Sequence, residues 1–127
     1  MAQSSGSLHE PAEVLGPEVV DRHRAIVSIM EELEAIDWYD QRVSACSDPE
    51  LAAILAHNRD EEKEHAAMTL EWLRRHDAGL DAQLRTYLFT DRPVLELEDS
   101  AADASASSAT ASLGIGSLRA LSGEGGL

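Results

Sequence analysis

Aromatic side chains are scarce: two Trp, two Tyr and one Phe make up 4% of the 127 residues. A β-sandwich core is poorly served by such a composition, and a hydrophobic fraction of 43% in a chain rich in Ala, Leu and Glu suits helices instead. Cysteine is limited to Cys46, which excludes an internal disulfide and permits a reducing cytoplasm. Basic residues number 10 against 24 acidic ones, for a formal charge of −14. Nothing basic is clustered to neutralise phosphates, so nucleic acid is not an expected partner. An acidic surface attracts cations or keeps the chain in solution. No apolar run approaches the roughly 20 residues of a membrane helix. Residues 1–11 have neither a basic start nor an apolar stretch, so a secretory signal is not expected there.

Gly and Pro are also absent between Glu18 and Ser47, and helix formers dominate that interval. Residues 1–16, with Ser4, Ser5, Gly6, Ser7 and Pro11, read as a flexible arm. Pro17 fits a first helical position, with Glu18 and Asp21 following where the helix dipole favours acids. The helix should run to about Ala45. Asp48 then caps a second helix, Pro49 opens it and Glu50 supports its first turn. This second helix should extend to about His76, stopping before Gly79. So short a connection predicts an antiparallel hairpin. A third, short amphipathic helix is expected over residues 80–89, before Pro93, which completes a helical domain over residues 17–98. Residues 99–111 hold almost only Ser, Ala, Thr and Asp, cannot bury enough surface to offset ordering entropy, and read as a disordered linker. Apolar residues return at 112–119, as a docking peptide on a tether would have them, and residues 120–127 form a flexible tail.

Steps of four and three along the first helix collect Ala25, Ile29, Glu32, Ile36, Tyr39 and Val43 on one face. The face is apolar except for Glu32 and the Tyr39 phenol, so Glu32, rather than Glu31 or Glu34, is aimed inward. On the second helix the same steps collect Leu51, Leu55, Asn58, Glu62, His65, Thr69 and Trp72, flanked by Ala66, Leu70 and Leu73. Glu62 and His65 form Glu-x-x-His, an i, i+3 pair able to point at one spot.

An unpaired carboxylate costs at least several kcal/mol to desolvate. Arg59 and Lys63 are off the stripe, so a divalent cation is the natural compensator, and carboxylate with imidazole suits iron, manganese or zinc. Di-iron carboxylate bundles take a Glu from each of two helices and Glu-x-x-His from each of the other two. One copy of this chain supplies Glu32, Glu62 and His65, half that set. A two-fold dimer would supply the whole and complete a four-helix bundle. Three alternatives stand beside this reading. Glu62 could pair with a charged His65 in a hairpin without metal, Zn or Mn could occupy the same ligands structurally without redox turnover, or the chain could be a plain helical adaptor for its tail peptide.

The segment Val27-Ser28-Ile29-Met30-Glu31-Glu32-Leu33-Glu34-Ala35-Ile36-Asp37-Trp38-Tyr39-Asp40-Gln41-Arg42, followed by Ala56-His57-Asn58-Arg59-Asp60-Glu61-Glu62-Lys63-Glu64-His65-Ala66-Ala67-Met68, resembles the bacterial encapsulated ferritins. Ser112-Leu113-Gly114-Ile115-Gly116-Ser117-Leu118-Arg119 resembles the cargo-loading peptide of that family, although here Ala120 to Leu127 follow it. The resemblance implies an all-α fold, half a ferritin-like bundle, acting as a ferroxidase with dioxygen. Glu32, Glu62 and His65 would bind a di-iron centre across a dimer interface within a homodecameric ring. It implies that Tyr39 and Trp38 surround the ligands, that Glu31 and Glu34 form an acidic site on the approach path, and that His57, Glu61 and Glu64 form an outer metal site. An encapsulin shell would be the partner through residues 112–119, with the chain inside a nanocompartment of the bacterial cytoplasm and serving iron storage. Cys46, with no second thiol to pair with, is read as incidental.

Overall fold

A computed structural model describes residues 7–106. They divide into two compact units, one ending at Asp81 and one beginning at Ala82. The described residues contain helices and no strand, as the composition predicts. Residues 1–6 of the expected arm, residues 107–111 of the expected linker, the 112–119 motif and the 120–127 tail lie outside the described residues.

A 3-10 turn at Ala12–Val14 precedes α1, which spans Pro17–Ala45. Gly16, extended at φ −70° and ψ 152°, leads into Pro17, whose fixed φ and missing N–H suit a first turn. Arg42 lies in the last turn, where a cation meets the negative end of the helix dipole. Three residues, 46–48, separate α1 from α2, Pro49–Arg75. The Asp48 carboxylate accepts a hydrogen bond from the Leu51 amide at 2.9 Å, the cap its position predicts. Arg74 and Arg75 close the helix. α1 and α2 pack extensively on one another, the antiparallel hairpin expected from so short a turn.

As expected, α2 ends before Gly79, at Arg75 with His76 as its C-cap, but Gly79 is not the residue that stops it. Asp77 caps a new helix instead, accepting from the Leu80 amide at 2.9 Å, so α3 spans Ala78–Tyr87 with Gly79 inside its first turn. A side-chain cap at position 77 dominates over the helix-weakening glycine two residues later. After α3, Phe89 takes the left-handed conformation at φ 58°. Residues 94–106 form α4, opened by Pro93, whose carbonyl accepts from the Glu96 and Leu97 amides. Residues 99–106, expected as linker, are therefore helical. Their alanines carry high intrinsic helix propensity, which an argument from missing apolar bulk overlooks.

Among the described residues only Ala25, Leu73 and Leu97 are buried apolar side chains, and none of them is completely shielded. Ile26, Leu33, Trp38, Leu51, Ile54, Met68 and Trp72 on the hairpin are exposed. A single hairpin thus leaves much apolar surface in water, more than a self-sufficient small domain tolerates. No helix of the described residues is long and apolar enough to cross a membrane.

Candidate metal centre

Glu32 sits near the middle of α1, and Glu62 with His65 near the middle of α2. Stripe residues Ile29, Ile36, Tyr39 and Val43 on α1, and Leu55, Asn58, Ala66, Thr69 and Leu70 on α2, are all half-buried. The apolar stripes face each other across the hairpin, and their polar centres coincide. One ligand atom from each of Glu32, Glu62 and His65 lies within 4.8 Å of the others. His65 Nδ1 stands 3.4 Å from Glu62 Oε2 and 3.9 Å from Glu32 Oε2. The two carboxylate side chains are only 25% and 24% exposed, against 45% for the imidazole. Water therefore reaches the cluster from the histidine side.

Electrostatics in the cluster are those of acids lacking a cation. Hydrogen bonding with Glu62, then burial, then repulsion from the Glu62 charge hold the Glu32 carboxyl above its ordinary value of 4.5. Glu31 adds to the rise and His65 opposes it. The same hydrogen bonding and the His65 imidazole hold Glu62 below its ordinary value. The nearest basic side chains on α2 are engaged elsewhere. Arg59 pairs with Asp40 and Asp60, and Lys63 with Asp60. Two oxygen donors, one nitrogen donor and net negative charge fit a divalent metal of the iron, manganese or zinc type.

Tyr39 is half-buried two turns from Glu32, and the Arg42 guanidinium lies over its ring at 5.3 Å. Trp38 is exposed beside Gln41 and Arg42. Glu31 is exposed and Glu34 half-buried, one turn apart beside Glu32. His57 Nε2 and Glu61 Oε1 meet at 3.0 Å on the exposed face of α2, with Glu64 on the same face. Among the described residues, Glu32, Glu62 and His65 are the only group of three or more acid, imidazole or thiol side chains gathered closely enough to hold one ion. The structure thus brings together the inner three and leaves His57, Glu61 and Glu64 as a pair plus a neighbour. Cys46 sits at the end of α1, its thiol 3.6 Å from the Asp48 carbonyl.

One residue pair beside the cluster was not found by periodicity. Arg59 reaches across the hairpin, Nη1 to Asp40 Oδ1 at 2.9 Å, with its side chain only 21% exposed. The available signal was its position next to Asn58 on the stripe, from which a long side chain lies along the helix surface.

The EncFtn-like family profile matches residues 7–91, a span that contains the hairpin and all three inner residues. The chain is 67% identical over 129 aligned residues to an encapsulated ferritin-like protein of Rhodospirillum rubrum, covering 94% of this chain and 92% of that protein. It is 55% identical over 91 residues to a ferritin-like protein of Thermotoga maritima, covering 72% of this chain and 80% of the relative. A crystal structure of a protein from Nitrosomonas europaea matches with a TM-score of 0.67 at 61% identity, covering 69% of this chain and 97% of that one. An all-helical hairpin with paired acids at its centre, lying within a matched span of this extent, makes the chain a member of the EncFtn-like family with an iron-related, ferritin-like role.

Proposed function

We propose that the protein is a ferroxidase, oxidising Fe(II) to Fe(III) with dioxygen at a site completed by a second copy of the chain. The observation that carries this reading is the convergence of Glu32, Glu62 and His65 within 4.8 Å of one another, on helices that leave apolar side chains exposed. A two-fold partner placed on that face would supply a second such set, giving four carboxylates and two imidazoles for two substrate Fe(II) ions.

Glu62, 3.4 Å from His65 and on the same helix face, would be the bridging ligand, with Glu32 and His65 as terminal ligands. Both carboxylates must be ionised to ligate, so binding would favour their deprotonated forms. His65 enters as the neutral imidazole. Anionic oxygen ligands favour the more highly charged ferric product over Fe(II), which makes each ion a better electron donor to dioxygen. The more exposed histidine side gives a path for iron, and Glu31 and Glu34 beside Glu32 lend that region negative charge. His57, Glu61 and Glu64 would give ions a weaker outer stop. Two hairpins cannot enclose a mineral, so the ferric product must leave. Residues 112–119 would carry the protein into an encapsulin compartment, where that product is stored.

Aerobic addition of Fe(II) with the ferric absorbance followed in time tests the enzyme. Glu32→Ala, Glu62→Ala and His65→Ala should each slow oxidation by more than about a hundredfold, an effect at the upper end of that seen for residues around metals. Oxidation at the parent rate in all three variants refutes the assignment. Tight metal binding without oxygen consumption would mean a structural Zn or Mn role. Deletion of residues 112–119 should abolish co-purification with the shell protein and leave oxidation intact.

A further inference from the structure

The inner cluster depends on a quantity that neither helix fixes alone: their position along the hairpin axis. Glu32 belongs to α1, and Glu62 and His65 to α2. A slide of one turn would move the two sides about 5.4 Å apart. Such a slide would exchange apolar side chains at the outer ends of the stripes, Ala25 for Ile29 and Leu51 for Leu55, but would set Glu32 and Glu62 against new neighbours at the centre, so the register is decided by the polar groups. The three-residue connection at 46–48 restrains only one end, and Glu32 lies 14 residues from Cys46, about 20 Å along the helix.

Among the described residues, the polar tie between α1 and α2 outside the ligand cluster is the Arg59–Asp40 pair. The Arg59 fork grips acids on both helices, Nε to Asp60 Oδ1 at 3.1 Å on its own and Nη1 to Asp40 Oδ1 at 2.9 Å on the other. A planar fork can hold two carboxylates in a fixed relation, which a point-like ammonium cannot. Arg59 also precedes Glu62 by one turn, the spacing at which a released guanidinium could turn to the Glu62 carboxylate. Asp40 on α1 and Asp60 on α2 both hold the guanidinium away from Glu62, but only the bond to Asp40 crosses between the helices.

We infer that Arg59, held by Asp40 across the hairpin, is a positioning residue that sets the axial register in which Glu32 meets Glu62 and His65. This rests on the metal-site reading above. The tie predicts an asymmetry between its two partners. Asp40→Asn frees the guanidinium to compete for Glu62, whereas Arg59→Ala removes both the register tie and the competitor. Removing Asp40 alone is thus the more damaging change for metal binding.

The experiment is a Co(II) titration of the full-length protein, followed by the visible absorption of the bound ion. Parent, Asp40→Asn, Arg59→Ala, Arg59→Lys, the Asp40→Asn/Arg59→Ala double variant and Glu62→Ala are compared. Asp40→Asn should weaken binding about tenfold, and Arg59→Ala and Arg59→Lys about threefold. The double variant should match Arg59→Ala and bind more tightly than Asp40→Asn. Parent-like affinity in both Asp40→Asn and Arg59→Ala overturns the inference, as does a double variant in which the two losses multiply. Glu62→Ala separates the two levels of the argument. If it binds Co(II) like the parent, the site itself is wrong; if it loses binding while the Asp40 and Arg59 variants do not, only the positioning role falls.

Discussion

The middle of the hairpin and the corner between α2 and α3 hold similar numbers of acids, yet treat them in opposite ways. At the corner, Arg74 pairs with Glu71 at 2.7 Å and with Asp81, and Arg75 takes the other Glu71 oxygen at 2.7 Å. Hydrogen bonds from Arg74 and then Arg75 pull the Glu71 carboxyl down from 4.5 to about 2. In the middle, Glu32 and Glu62 have each other and an imidazole, and Glu32 is pushed up. The corner is electrostatically complete within one chain. The centre keeps its acids beside an imidazole with no arginine or lysine on them, and under the proposed function a cation would complete it.

Substitutions that preserve shape should separate the two regions most sharply. Glu62→Gln should lower Co(II) affinity by more than about a hundredfold. Glu71→Gln, in an equally acidic neighbourhood, should leave affinity unchanged and lower the thermal midpoint by a few degrees. Comparable affinity losses in both variants would mean that general negative charge, and not the central geometry, recruits the metal. The same pair of proteins then serves as a control in iron oxidation, where only Glu62→Gln should fail.

The two regions should also respond to pH with opposite signs. Glu71 has a depressed value, so its stabilising contribution is present above about 4.5 and is lost as pH falls towards about 2. Glu32 has a raised value in the metal-free protein, so its contribution is present below 4.5 and is lost as pH rises through its folded value, when two carboxylates stand together unshielded. Unfolding of chelator-treated protein should therefore show Glu32→Gln more stable than the parent near neutral pH, with the difference vanishing in acid. With metal present the order should reverse, because the variant loses a ligand. A Glu32→Gln protein that is less stable than the parent without metal would break the comparison. Metal affinity should rise with pH across the range in which the Glu32 carboxyl ionises, because the ligand must be deprotonated to bind.

How much of this was legible follows from which physical signals are local. Pro17, Asp48 and Pro49 announce the hairpin because capping and proline geometry act within one turn. The i, i+3, i+4 stripe selects Glu32 over Glu31 and Glu34 because helical periodicity is strict, and the structure brings Glu32 to Glu62 and His65. The Arg59–Asp40 pair was not legible, since it depends on the axial level of one helix against another, which periodicity does not encode. At Asp77 two local signals competed, and the cap prevailed over Gly79. In residues 99–106 the lack of apolar bulk hid the helix propensity of alanine. The proposed dimer is supported only indirectly, by the exposure of Ile26, Leu33, Ile54 and Met68 on the hairpin.

The smallest expected effect concerns the end of α3, where local strain can be tested without touching either acidic region. Phe89 adopts φ 58° with its ring fully exposed, while the Thr90 hydroxyl donates to the Tyr87 carbonyl at 2.8 Å. A left-handed residue with a Cβ is strained, and glycine relieves that strain at the expense of a more flexible unfolded chain. The two effects nearly offset, so Phe89→Gly should raise the thermal midpoint by only about 1–3 °C. Phe89→Ala, which removes the ring but keeps the Cβ, should give no gain. If alanine stabilises as much as glycine, the exposed ring and not the backbone is the source of the cost. If both variants destabilise, the ring of Phe89 is covered in the protein as it exists in solution, and the apolar surface left open by a single chain extends beyond the hairpin.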